Sequence, residues 1–190
     1  MRTLVAAPSA SRKHYAFDRW EAATRDYDRL LAIDEPDYAE RVEALGVPTV
    51  TYAAISKRRL LGNNAIYGPR FTEAWQAILG ASEGYTHILS LESDVIPPEG
   101  YNILALMEKE YQPDFTCHDY PWREGRPGYA FEMGCTIFTR ETLKRAIEVC
   151  PDEQGMYCIV SNEDFFKRNR IHVVELEHLT DPVPVETVTQ

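Results

Sequence analysis

The sequence lacks any apolar run long enough to cross a membrane, since such a helix needs about 20 consecutive apolar residues. Its first apolar run, residues 3–7, is also shorter than the core of a signal peptide. The chain has only 4 cysteines, and none are in Cys-x-x-Cys spacing, so neither a zinc site nor a disulfide framework is indicated. Internal repeats and low-complexity segments are absent as well. We therefore expect a cytoplasmic protein without a membrane span.

Positive charge is also scarce, with 20 lysines and arginines against 30 aspartates and glutamates. The resulting net charge of -10 repels phosphate, which argues against a general nucleic-acid or anionic-membrane binder. A length of 190 residues fits a single domain, and 44% hydrophobic residues with 26% charged residues is ordinary globular composition. The composition indicates an acidic globular enzyme or binding domain.

Apolar runs and helical spacing of apolar residues alternate along the first 110 residues. The predicted strands are residues 3–7, 31–33, 47–52, 86–91, 115–120, 131–139 and 171–176. The predicted helices are residues 17–31, 38–45, 71–79, 101–111, 142–150 and 163–168. Such alternation produces right-handed βαβ units. The sequence therefore predicts an α/β fold with a mostly parallel sheet flanked by helices.

Two carboxylates follow the clearest buried strand, residues 86–91. Glu92 and Asp94 flank Ser93, and two prolines come shortly afterwards. Ligands of open parallel sheets bind just beyond the carboxyl ends of strands, which is where these side chains are expected. A pair of carboxylates can hold a hard divalent cation, and Mg²⁺ prefers a few carboxylates together with water and phosphate oxygens. The local sequence is also compatible with a solvated acidic turn before a helix.

Basic residues follow two of the predicted strands. Arg12 and Lys13 come after the first strand, and residues 57–59 come after the third. The carboxyl ends of parallel strands share one edge of the sheet, so these cations are candidates for neutralising a diphosphate there. A solvated charged face is the alternative.

Several short stretches together resemble a known family, in the order in which that family has them. They are residues 3–9, 32–37, 62–64, the predicted helix at 71–79, and residues 88–98, 134–140 and 162–166. The chain resembles nucleotide-sugar-dependent glycosyltransferases of the GT-A fold, with its Rossmann-like sheet, and most of all the inverting, family 2-like group that includes small bacterial and phage enzymes. Two departures stand out: Glu92 replaces the first acid of the D-x-D motif, and the chain is small for the family.

The resemblance implies one domain over residues 1–180. Residues 1–112 would bind the nucleotide sugar, residues 113–180 would form a reduced, irregular acceptor lobe, and residues 181–190 would be an extended tail. The residues implied to contact the donor are Pro8, Ser9, Arg12, Asp34, Glu35, Arg59, Asn63, Glu92, Ser93 and Gly134. Asp94, Glu92 and His178 are implied as ligands of Mn²⁺ or Mg²⁺.

The implied reaction moves a sugar from a nucleoside-diphosphate donor to an acceptor hydroxyl with inversion. Asp164 matches the general base of the family, and Glu163 would orient the acceptor or replace Asp164 as base. Acids at a helix start also act as caps, which is the alternative reading of this pair. The acceptor stays open among a saccharide, a protein and a modified nucleobase in DNA. A homo-oligomer could complete so small an acceptor site.

Two other functions are compatible with the same residues. A nucleotidyltransferase of related fold also uses a metal bound to carboxylates, but it should carry a glycine-rich basic loop after the first strand. Residues 9–12 contain no glycine, which disfavours that function. A catalytically silent module that binds a nucleotide or a protein partner is the third possibility.

Overall fold

The computed structural model of the chain describes residues 1–53, 60–61, 64–65, 69–118, 134–149 and 166–179. Four predicted site residues, Arg59, Asn63, Glu163 and Asp164, lie outside these ranges. So do the basic residues 57–59, residues 119–133, 150–165 and 180 of the predicted acceptor lobe, and the tail at 181–190. Within the described ranges, no helix combines the length and apolar character needed to cross a membrane.

The described residues form strands and helices in alternating order. The strands are β1 (Thr3–Ser9), β2 (Arg29–Ile33), β3 (Thr49–Thr51), β4 (Leu60–Leu61), β5 (Asn64–Ala65), β6 (His87–Leu91), β7 (Val95–Ile96), β8 (Phe115–His118), β9 (Cys135–Thr139), β10 (Arg168–Ile171) and β11 (Glu177–His178). The helices are α1 (Phe17–Thr24), α2 (Pro36–Ala44), α3 (Pro69–Ala81), α4 (Ile103–Glu110) and α5 (Arg140–Val149), with a 3₁₀ helix over Ser11–Ala16.

A seven-stranded sheet organises the chain, in the order β10-β8-β9-β6-β1-β2-β3. All neighbouring pairs are parallel except those made by β9, which runs antiparallel to both β6 and β8. The carboxyl ends of β1, β2, β6 and β8 therefore lie along one edge, together with the amino-terminal end of β9. The predicted α/β fold with a mostly parallel sheet is confirmed.

Helices cover both faces of this sheet. In β1, Leu4 and Ala6 pack into one cluster with side chains of α3 and α5, while Val5 and Ala7 pack into a second cluster with α1, α2 and α4. The central strands are buried on both faces, which explains why they appear in the sequence as continuous apolar runs rather than alternating ones. Packing on both faces holds the central strands in position, and the loops at their carboxyl ends are held with them.

Local sequence determines where the covering helices begin and end. Helix α2 has Pro36 in its first turn, where the missing N–H costs no hydrogen bond. Gly46 follows the end of α2 with a φ of 80°, a left-handed conformation that glycine adopts without strain. Helix α4 begins after Asn102, whose side chain accepts a hydrogen bond from the backbone N–H of Ala105 at 2.9 Å.

The predicted first helix was too long. The apolar spacing suggested a helix over 17–31, but α1 ends at Thr24 and β2 already begins at Arg29. Leu30 and Leu31 fit helical spacing by coincidence, because they are buried on opposite faces of the sheet. A strand buried on both faces carries apolar residues at consecutive positions and so extends a helical pattern.

The predicted elements near the carboxyl end were wrong in position. The sequence suggested a helix over 163–168, of which 163–165 lie outside the described ranges, and a strand over 171–176. Instead, Arg168 opens β10, Ile171 ends it, and the last strand among the described residues is β11. Strand β10 lies at the edge of the sheet and reads Arg-Asn-Arg-Ile, so it lacks the apolar run of a buried strand. Polar edge strands are common because they discourage pairing with other chains.

Candidate functional site

The turn after β6 lies at the carboxyl edge of the sheet, as predicted for residues 92–94. The backbone N–H of Glu92 donates to the carbonyl of Gly134 at 3.0 Å, and Val95 N–H donates to the Glu92 carbonyl at 2.9 Å. The first bond ties the turn to the start of β9, and the second closes the turn on itself. Ser93 and Asp94 are buried within it. Backbone hydrogen bonds thus fix the main chain from which both carboxylates project.

A late part of the chain packs against this turn. Strand β11 pairs antiparallel with β7, which places His178 opposite Val95. The backbone N–H of Leu179 donates to the Asp94 carbonyl at 2.8 Å. His178 Nε2 consequently lies 3.5 Å from Asp94 Oδ2. The histidine that the sequence suggested as a metal ligand is therefore adjacent to the suggested carboxylate.

A lysine occupies the space between the two carboxylates. Lys13 lies in the 3₁₀ helix that follows β1, and its Nζ donates to Glu92 Oε2 at 3.0 Å and to Asp94 Oδ1 at 2.8 Å. The side chain of Lys13 is only 16% exposed, and those of Glu92 and Asp94 are 12% and 8% exposed. These are charge-assisted hydrogen bonds in a largely dry setting, where such bonds are strong.

The charges of this cluster stabilise one another. Burial acts to raise the pKa of Asp94, but the hydrogen bond with His178 and the charge of Lys13 outweigh it and lower that pKa to about 2. Burial alone would lower the pKa of Lys13, but the charges of Glu92 and Asp94 raise it above the ordinary lysine value. Asp94 is therefore a carboxylate and Lys13 an ammonium ion at neutral pH.

The donor atoms of this cluster suit a divalent cation. One ligand atom each from Glu92, Asp94 and His178 can be chosen so that all lie within 4.8 Å of one another. Carboxylate oxygens are the usual ligands of Mg²⁺ and Mn²⁺, and an added imidazole favours a transition metal over Mg²⁺. The ammonium group of Lys13, bonded to both carboxylates, already supplies one positive charge there.

The other predicted donor-binding residues within the described ranges lie near the same edge. Ser9, at the end of β1, shares a buried hydrogen bond of 3.0 Å with Ser93, Oγ to Oγ. Glu35 Oε2 accepts a hydrogen bond of 2.6 Å from the backbone N–H of Ser11 and so holds the loop after β1 against the loop after β2. Pro8 and Asp34 are half-buried at the ends of these two strands.

The basic residue that reaches the cluster differs from the one selected from the sequence. Arg12 was the candidate for the donor diphosphate, but its side chain is exposed, and it is the neighbouring Lys13 that contacts the carboxylates. Successive residues of a 3₁₀ helix point in directions about 120° apart, so only one of the pair faces the carboxylates. The sequence showed both cations but could not distinguish their directions.

A buried tryptophan next to the carboxylate turn was not among the site residues predicted from the sequence. Trp20 of α1 is fully buried, and its Nε1 donates to the carbonyl of Leu91 at 3.0 Å. Leu91 ends β6 and directly precedes Glu92. The indole therefore satisfies a backbone carbonyl at the point where the strand ends and the carboxylate turn begins. Helical spacing identified Trp20 only as a core residue.

Comparison with known proteins gives similarity in structure alone. No protein-family model and no curated protein sequence matches the chain. Among solved structures, it is similar to a CMP:2-keto-3-deoxy-manno-octonic acid synthetase complexed with CTP, with a TM-score of 0.60, 11% identity and coverage of 95% of this chain and 93% of that one.

Two further solved structures with a similar fold are described as transferases. One is a glycosyltransferase involved in glycosylation of the major capsid of PBCV-1, with a TM-score of 0.52, 12% identity and coverage of 90% of this chain and 82% of that one. The other is a putative nucleotide-diphospho-sugar transferase from Desulfovibrio desulfuricans G20, with a TM-score of 0.52, 10% identity and coverage of 90% and 80%. The chain has the GT-A-like fold that glycosyltransferases and nucleotidyltransferases share, as the sequence predicted.

Proposed function

We propose that the chain is a glycosyltransferase that moves a sugar from a nucleoside-diphosphate donor to an acceptor hydroxyl with the help of Mn²⁺ or Mg²⁺. The observation that carries the proposal is the gathering of Glu92, Asp94 and His178 at the carboxyl edge of a GT-A-like sheet. Nucleotides bind at this edge in open α/β sheets. The proposal covers an acceptor on a saccharide, a protein or a modified nucleobase in DNA.

The departing nucleoside diphosphate gains negative charge as its bond to the sugar breaks. Glu92, Asp94 and His178 would hold a divalent cation, which when bound offsets that charge. Ser9 and Ser93 border the same edge, and since the hydrogen bond between them uses one of their two hydroxyl protons, one O–H is left to donate to a phosphate oxygen.

Two carboxylates after β2 are proposed to bind the nucleoside end of the donor. Asp34 and Glu35 are half-buried there, and carboxylates accept hydrogen bonds from ribose hydroxyls. The proposal therefore runs the donor along the sheet edge, with its nucleoside near β2 and its diphosphate near the turn after β6.

A base must accept the proton of the attacking hydroxyl. Asp164 is proposed for this role and Glu163 for orienting the acceptor, on the basis of the family resemblance of residues 162–166. A second copy of the chain that completes the acceptor side stays a prediction.

Nucleotidyl transfer is the second candidate, favoured by the structural similarity to the CTP-bound synthetase. The two reactions leave different products, since nucleotidyl transfer releases pyrophosphate from a nucleoside triphosphate and glycosyl transfer releases a nucleoside diphosphate. The loop at residues 9–12 lacks the glycines of the nucleotidyltransferase signature, which favours sugar transfer. A silent binding module would hold a nucleotide without releasing either product.

A thermal-shift screen tests the proposal directly. We expect one nucleoside diphosphate, or its sugar conjugate, to raise the melting temperature in the presence of Mn²⁺ and to do so less in EDTA, because binding to the folded state stabilises it by mass action. Nucleoside triphosphates form the comparison set. No shift with any nucleotide would contradict the proposal, and a shift restricted to triphosphates with pyrophosphate release would favour nucleotidyl transfer.

Replacing the proposed base separates chemistry from binding. We expect Asp164→Asn to lower the transfer rate by about 100-fold or more, because general bases contribute roughly 10²–10⁴-fold. Nucleotide affinity, measured by calorimetry, should stay unchanged. Glu148→Gln, on the exposed surface of α5, is the matched loss of one carboxylate. Transfer at the normal rate in Asp164→Asn would remove this residue from the mechanism.

A further inference from the structure

The position that a divalent cation would take is bordered by a cation of the protein itself. Lys13 Nζ lies 3.0 Å from Glu92 Oε2 and 2.8 Å from Asp94 Oδ1, so one ammonium group bridges both carboxylates. A metal ligated by these carboxylates would be attracted by the same two negative charges. The two cations therefore compete for the same negative charge.

The contact of Lys13 differs from an ordinary surface ion pair. Lys109, for comparison, lies 3.6 Å from Glu110 with a side chain that is 78% exposed, whereas Lys13 is 16% exposed and bonded twice. The backbone also holds Lys13 in place, since its N–H donates to the carbonyl of Ala10 at 2.8 Å. A long side chain ordered at both ends marks a built contact, because exposed pairs seldom repay the entropy of ordering.

Charge makes simultaneous occupancy unfavourable. The ammonium group and a divalent ion bound to the same two carboxylates would lie a few ångströms apart, in a setting where water screens little. The two carboxylates carry two negative charges, which the divalent ion alone neutralises. With Lys13 also in place, the three side chains and the ion would carry an excess positive charge.

We propose that Lys13 is a built-in competitor of the divalent cation, so that the metal binds between Glu92 and Asp94 only when the Lys13 ammonium group moves away. The inference rests on the cation site of the proposed function and adds a control on when that site is filled. In the absence of a ligand, Lys13 offsets one of the two carboxylate charges without metal.

A bound nucleoside diphosphate would relieve the competition between Lys13 and the divalent cation. Lys13 follows β1 directly, at the sheet edge where the diphosphate of the proposed donor lies, so phosphate oxygens offer the displaced ammonium group a new partner. Metal and nucleotide binding then strengthen each other, since coupling between two ligands is reciprocal. The metal would enter together with the donor rather than before it.

Mn²⁺ binding to the nucleotide-free protein tests the competition. The free-ion signal in electron paramagnetic resonance gives the affinity of the wild type, of Lys13→Met, which keeps the aliphatic stem and loses the charge, and of Lys109→Met, which makes the same change on the surface. We expect Lys13→Met to bind Mn²⁺ at least tenfold more tightly than the other two proteins. Equal affinity in all three proteins would overturn the inference.

The melting temperature supplies a readout that needs no metal-binding signal. Lys13→Met leaves two carboxylates together without their partner, and we expect it to melt lower than the wild type in EDTA by roughly 6–20 °C. Saturating Mn²⁺ should restore most of that loss and shift the wild type far less. If Lys13→Met does not fold in EDTA, it is refolded in Mn²⁺ and, as a control for ionic strength, in KCl at a matched concentration. Folding in Mn²⁺ but not in KCl supports the inference. Failure to fold in both overturns it.

A double variant locates the gained metal. In Lys13→Met combined with Asp94→Asn, the extra Mn²⁺ affinity should disappear, and its persistence would place the metal elsewhere and overturn the competition. The inference and the proposed function can fail independently of each other. If Lys13→Met binds Mn²⁺ more tightly but the protein binds no nucleotide, the competition stands and the proposed glycosyltransferase function fails. If the protein transfers sugar but Lys13→Met has the same Mn²⁺ affinity as the wild type, the proposed function stands and the competition fails.

Discussion

Replacing Asp94 with asparagine is expected to lower sugar transfer by about 100-fold or more, because removing one group that stabilises the developing charge costs roughly 10²–10³-fold. Asparagine keeps the shape of the side chain but loses the charge that a divalent cation needs. The Asp94 carboxylate is only 8% exposed and is hydrogen-bonded to Lys13. Water therefore cannot easily reach this position and replace the lost carboxylate as a ligand of the cation. Initial rates measured with excess Mn²⁺ would test this expectation.

The matched control is Asp28→Asn, which makes the same change at a surface carboxylate that is 57% exposed and 3.9 Å from Arg2. This variant should transfer sugar at the wild-type rate. Mn²⁺ affinity should fall in Asp94→Asn and not in Asp28→Asn. Full transfer by Asp94→Asn in the presence of EDTA would refute the assignment of Asp94 as a metal ligand.

Truncating Trp20 to alanine is expected to lower the free energy of unfolding by about 3–5 kcal/mol, the usual cost of removing a large buried aromatic side chain. Trp20 is fully buried in the cluster that joins α1 to β1 and β6. Its loss opens a cavity and leaves the Leu91 carbonyl without its indole donor. Urea denaturation would measure the change through the transition midpoint and slope.

A phenylalanine at the same position separates the two causes. Trp20→Phe retains much of the packing but loses the N–H donor, so we expect a smaller loss of about 1–3 kcal/mol from the unpaired carbonyl together with a reduced ring volume. Tyr101→Ala, at a side chain that is 38% exposed, should change the free energy of unfolding by less than about 0.5 kcal/mol. Equal stability of Trp20→Ala and the wild type would contradict the burial of Trp20 between α1 and the sheet.

Much of the fold was predictable because burial on both faces leaves a strong trace in the sequence. The strand predicted over residues 86–91 has Ile88, Leu89 and Leu91 on both buried faces, and it differs from β6 by a single residue. The same property caused the error at Leu30 and Leu31, where two buried faces imitated helical spacing. Edge strand β10 has no apolar run in the sequence, because it is polar, and it forms a strand only through its pairing with β8.

The site was predictable only where chain order determines position. Glu92 and Asp94 follow a strand, so their place at the sheet edge follows from topology. The approach of His178 to Asp94 depends on the β7–β11 pairing, which two-residue strands do not reveal in sequence. It was suggested by family resemblance alone. The bridge made by Lys13 depends on side-chain direction in a short 3₁₀ helix, which no spacing rule specifies.

The hydrogen bond between Trp20 and Leu91 gives the protein an optical probe of the proposed cation site. The indole lies at the end of β6, next to the residue that carries the first carboxylate. A paramagnetic ion bound there would quench the fluorescence of Trp20, while a diamagnetic ion such as Mg²⁺ would not. Of the 3 tryptophans, Trp75 packs in the cluster on the other face of the sheet, so a protein that keeps Trp20 alone would report occupancy without an added label.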